Sequence, residues 1–125
     1  MSTINVSNLN DGTKTVATTN LTNGSAKAWV TYDHQNATVK ESYSISSITD
    51  ISSGRGTVNL TNAMTSSYHC STGSAGDASQ SAARDLMLND GLGSTSSTVR
   101  WNCENHSNTV SDAEYVAIKT VGDLA

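Results

Sequence analysis

From Lys27 onward, apolar side chains alternate with polar ones in short runs, the period of half-buried strands. KAWVTYD sets Ala28, Val30 and Tyr32 on one face and Trp29 and Thr31 on the other, which predicts a strand. DHQN at 33–36 supplies turn residues. TVKESYSI follows, with Val39, Tyr43 and Ile45 sharing one parity, and predicts a second strand. After SSITDI, the two glycines of SSGRG mark a turn, and TVNLTNAM places Val58 and Leu60 together in a third strand. SSYHCST reads as a fourth, with Tyr68 and Cys70 inward.

Residues 71–81, STGSAGDASQS, have no periodicity and read as a Ser/Gly/Ala loop. AARDLMLND is ambiguous. Ala82, Ala83, Leu86 and Met87 fit helical spacing with Ser79 or Ser81 as a cap, whereas a strand would run from Arg84 to Leu88 before the DG turn at 90–91. The β character on both sides favours the strand. STVRWNC aligns Val99, Trp101 and Cys103, and after the polar stretch 104–112, EYVAIKTV aligns Val116 and Ile118. About seven short strands joined by polar turns predict an all-β chain, an antiparallel β-sandwich of jelly-roll-like character.

Residues 1–25 differ. Ile4, Val6, Leu9, Val16 and Leu21 are spread too thinly among Asn, Thr, Asp and Gly to build a core. This segment reads as an extended anchoring arm that orders on a neighbour, with a disordered tail as the alternative. The expected organisation is therefore an arm over 1–25 and a sandwich over 26–125.

Composition narrows the functional classes. Ser, Thr and Asn supply about two-fifths of the chain, and Phe is absent. Only 14% of residues are charged, so the chain lacks the high charge typical of disorder. Apolar mass is nevertheless scarce for a self-sufficient monomer, which points to an assembly that buries further surface between subunits. A net charge of −4 with seven Lys and Arg provides no basic stripe for nucleic acid. No run of 18 or more apolar residues argues for membrane insertion, and MSTINVSNLNDGTKT lacks the features of a secretory signal, so synthesis in a cytoplasm is expected.

Cys70 and Cys103 each close a β-like run. They could face one another across neighbouring strands and form a disulfide, or remain two buried thiols. His34, His69 and His106 have no metal-ligand spacing and are expected exposed or at edges; a single histidine per subunit could still ring a symmetry axis around an ion. No GxSxG elbow or phosphate loop is present, and the eleven acidic residues are scattered, so no catalytic residue, cofactor site or metal site is assigned. Trp29 is expected in the core or a subunit interface, and Trp101 in the core. If a glycan binds, loops 33–36, 71–81 and 104–112 are the candidates.

The ordered run AKAWVTYD, ATVKESYSISSITDISSGRG, TVNLTNAM, STSSTVR and DAEYVAIKTVGD resembles a β-sandwich module of bacteriophage tail-fibre and virion appendage proteins. The resemblance covers residues 26–125; the first 25 are only loosely similar to short anchoring leaders. Thr65 stands where a proline often follows the AM pair, and Leu60 where an aromatic is common. The resemblance implies a β-sandwich module, commonly a homotrimer, carried on the outside of a phage particle. Together with the lack of a convergent catalytic site and the sparse apolar residues of the arm, the expectation is a non-enzymatic structural protein of a phage virion held to larger phage structural proteins through residues 1–25. A receptor-binding, lectin-like module for a host surface glycan is the alternative. A bacterial adhesion or pilus subunit would need a secretion signal.

Overall fold

Eight strands form two four-stranded antiparallel sheets in the computed structural model of the protein, which describes residues 5–78, 84–88 and 93–125. Ahead of them the arm carries β1 (Asn8–Asn10), β2 (Thr15–Ala17) and α1 (Thr18–Gly24). The sandwich begins with β3 (Ala26–Asp33) and continues through β4 (Thr38–Tyr43), β5 (Ile45–Ser52), β6 (Arg55–Leu60), β7 (Cys70–Gly76), β8 (Arg84–Leu88), β9 (Thr98–Asn105) and β10 (Tyr115–Val121). The first sheet has the order β4-β3-β10-β7 and the second β5-β6-β9-β8. The first and last strands of the sandwich are thus paired at the centre of one sheet. Three consecutive pairs, β3–β4, β5–β6 and β8–β9, are hairpins within a single sheet, and the remaining connections cross between sheets.

The core lies between the sheets. Ala28, Val30 and Tyr32 from β3 and Val116 and Ile118 from β10 face Val58 and Leu60 from β6 and Val99, Trp101 and Cys103 from β9. These are the alternating positions that the sequence pattern selects on each strand. Met64 and Ala113 close the core from connections, and Leu86 and Leu88 flank it from β8. The segment 84–88 is therefore a strand; residues 82 and 83 lie outside the described residues.

Three expectations change. The run TVKESYSI is not one strand: Ser44, at φ 57°, turns the chain from β4 in the first sheet into β5 in the second. Val39 and Tyr43 are exposed on β4 while Ile45 packs against the core, so a shared parity does not make a shared face. The fourth run is inverted. Tyr68 is 96% exposed and Cys70 is exposed, whereas His69 is buried and Ser71 Oγ meets Thr120 Oγ1 at 2.9 Å.

Residues 71–76 are not loop but strand. Gly73 lies opposite Ile118 and Ala75 opposite Val116. A Cβ at Gly73 would come within 2.5 Å of the Ala117 carbonyl oxygen, so β7 must be made of small residues to approach β10. That requirement gives the strand the composition of a loop.

The arm is extended only in part. β1 and β2 pair antiparallel, with Leu9 opposite Val16, and Thr18 donates from N–H to Ser7 O at 2.9 Å, starting the seven-residue helix. Among the described residues no helix is long and apolar enough to cross a membrane.

Candidate functional site

Four segments meet at one end of the sandwich: 33–38, 52–55, residues 76–78 with Arg84, and 104–114. Seven of the eleven acidic residues lie there, at 33, 50, 77, 85, 104, 112 and 114. His34 sits at the centre of this end. It is buried, against the expectation of an exposed or edge histidine, because its ring packs on Trp101 and Tyr32 at centroid distances of 5.7 Å each. His34 Nε2 lies 3.3 Å from Asp50 Oδ1 and 3.6 Å from Asp112 Oδ1. Asp112 Oδ1 also accepts the Gly54 N–H at 2.6 Å. One imidazole and two carboxylates thereby join the end of β3, the β5–β6 turn and the β9–β10 connection. Burial, followed by the nearby charges of Asp50, Asp112 and Asp33, raises the pKa of Tyr32.

The neighbouring carboxylates are also engaged. Asp33 faces Lys40 Nζ at 2.9 Å and accepts from the side chain and backbone N–H of Asn36, contacts that outweigh its desolvation and hold its pKa down at about 2. Asp77 bridges Arg84 at 2.6 Å and accepts the Glu114 N–H at 2.9 Å; burial opposes its ionisation, yet these two partners bring its pKa below the ordinary value. Glu114 in turn accepts the Ala78 N–H at 2.8 Å. Asp50, Asp77, Asp112 and Glu114 thus tie separate segments together, and Asp33 ties its own hairpin. No group of three or more His, Cys, Asp or Glu able to hold a metal ion occurs among the described residues.

The other predicted positions are dispersed. At the opposite end of the sandwich, His69 Nε2 meets Thr95 O at 3.1 Å and Nδ1 meets Ser71 Oγ at 3.2 Å, so its burial is satisfied by hydrogen bonds. His106 is exposed in its loop. Cys70 and Cys103 are not brought together: Cys70 is exposed on β7 of the first sheet, opposite Val121, and Cys103 is buried on β9 of the second, opposite Leu86. Both are free thiols, and the pairing across neighbouring strands does not occur. Burial pushes the Cys103 thiol up to about 11. Loops 33–36 and 104–112 lie at the acidic end, whereas most of 71–81 belongs to β7; residues 79–81 lie outside the described residues.

Trp101 is buried in the core, but Trp29 is 37% exposed on the outer face of the first sheet. It stands beside a shallow trough of about 430 Å³, lined also by Thr31, Thr72, Ser74, Ala117 and Lys119. Cross-strand register explains the lining. Trp29, Lys119 and Thr72 form one row across β3, β10 and β7, and Thr31, Ala117 and Ser74 form the next. The small second row is the floor and the Trp29–Lys119 row the wall. Trp29 is thus not the core residue expected: it takes the face opposite Ala28, Val30 and Tyr32, which is the outer face of the sheet, beside small residues of two other strands that alternation along β3 does not reveal. Tyr43, directly opposite Trp29 on β4, extends the wall and is exposed.

On the arm, Val6, Leu9, Val16 and Leu21 are 39–49% exposed, and Leu9, Val16 and Leu21 line an apolar hollow with Asn10, Asp11 and Lys14. No family model, curated protein or solved structure matches the chain.

Proposed function

We propose that the chain is a non-enzymatic structural protein of a bacteriophage virion, a small homotrimeric appendage of the tail-fibre, tip or capsid-decorating kind, attached to larger phage structural proteins through residues 1–25. The observation that carries the attachment is the arm. Its hairpin and helix close on each other while the large apolar side chains of residues 5–25 stay exposed. Such side chains favour a partner surface, since burying the part of each that stays exposed contributes on the order of 1 kcal/mol. The acidic end supports a structural reading, because most of its carboxylates hold neighbouring segments together. Its virion setting rests on the sequence resemblance over residues 26–125.

Deleting residues 1–25 tests this reading. The truncated chain is expected to fold and to keep its oligomeric state but to be missing from purified particles. Incorporation at the normal level would overturn the attachment. A second reading, a lectin-like module for a host surface glycan, is favoured by one observation, the exposed Trp29 beside the trough.

A further inference from the structure

We propose that the trough on the outer face of the first sheet is a carbohydrate-binding site, with a pyranose ring stacked on Trp29 and its hydroxyls bonded to Thr31, Thr72, Ser74 and Lys119. This inference rests on the lectin reading and is independent of the attachment role of the arm. It moves the expected glycan contact from the loops to a sheet face.

Three features carry it. The hydroxyls of Thr31, Thr72 and Ser74 make no side-chain hydrogen bond among the described residues, and Lys119 pairs with no carboxylate there. A protein surface seated on the trough would have to desolvate these four groups or match each one. A sugar presents donors and acceptors around its whole rim. Second, the indole of Trp29 offers a flat, electron-rich face that suits the C–H face of a sugar ring. A nucleobase would stack equally well, but a net charge of −4 opposes a phosphate backbone. Third, the volume of about 430 Å³ falls within the range of small-ligand sites, and its floor of Ala117 and the Gly73 backbone lets a ring approach closely.

The test uses the full chain on an array of bacterial O-antigen and capsular polysaccharides, followed by acrylamide quenching with the best binder. Trp101 is buried, so quenchable fluorescence reports Trp29. Binding should shield Trp29 from acrylamide. Trp29→Ala and Lys119→Met should each weaken binding at least about ten-fold, with Trp29→Phe retaining part of it. The quenching measurement needs no substitution and stands even if a variant misfolds. Undiminished binding by folded Trp29→Ala would overturn this site while leaving the lectin reading intact; no binding by the unaltered chain would overturn both. Shielding of Trp29 in sugar-free protein would mark the face as a contact between copies and overturn the proposal.

Discussion

Gly56 shows how much one residue can settle. It lies directly opposite Trp101 across β6 and β9, and a Cβ there would fall 2.2–2.9 Å from three carbons of the indole. The side chain of Trp101 fills the space that Gly56 leaves, and the indole has packed neighbours in Tyr32 and His34 on its other sides. Gly56→Ala should therefore cost about 1–3 kcal/mol through overpacking. A urea titration measures it, and an unchanged midpoint would show that the indole is free to move aside. Nearby Gly54 meets a different demand. Its φ of +69° and a Cβ position 2.6 Å from the Cys103 carbonyl oxygen both exclude a side chain. The two cysteines make a second contrast. Cys103 is fully buried with its thiol pushed up to about 11, whereas Cys70 is exposed. Because the thiolate is the reactive form, a thiol reagent at neutral pH should titrate one cysteine in native protein and two in denaturant. Two in the native state would contradict the burial of Cys103.

The first hairpin, β3–β4, is held more by polar contacts than by core packing, since β4 is exposed along its whole length. Lys40 and Asn36 hold the Asp33 carboxyl at about 2, below the ordinary aspartate value near 3.9. A depressed carboxyl contributes stability above its unfolded-state pKa and loses it as the pH falls through the folded value. The hairpin should accordingly weaken between roughly pH 4 and pH 2. Asp33→Asn should flatten the stability profile in that window, as read from urea midpoints at a series of pH values; parallel profiles for the two proteins would rule out the role of Asp33. The same comparison of elements shows what the sequence reveals. β3, β6, β9 and β10 are legible because each sends large apolar residues to the core at every second position. β7 is not, because contact with β10 demands small residues at the inward positions. The β4–β5 corner is hidden because Ser44 takes a positive φ without being a glycine. The site at the acidic end was illegible for another reason. His34, Asp50 and Asp112 are 16 to 78 residues apart in sequence and meet only when both sheets are assembled.

As a whole, the molecule leaves more large apolar side chains exposed than it buries in its core, twelve against nine among the described residues. Single exposed apolar residues are ordinary, so their grouping is what matters. Four lie on the arm, and Val39 and Ile51 lie on β4 and β5, the edge strands joined by the Ser44 corner. Edge strands with apolar side chains and unpaired backbone groups favour pairing with another chain. That side is the contact expected between subunits of the proposed trimer. The full chain and the chain lacking residues 1–25 should then sediment at three times their own chain mass, 13.0 kDa for the former. Because only the assembled form buries this edge, association adds to stability by mass action. The melting temperature should rise with protein concentration and fall on ten-fold dilution, and Val39→Lys should lower it while shifting the mass towards the monomer. A melting temperature independent of concentration, together with the mass of a single chain, would place all of the stabilisation within one subunit and remove the trimer.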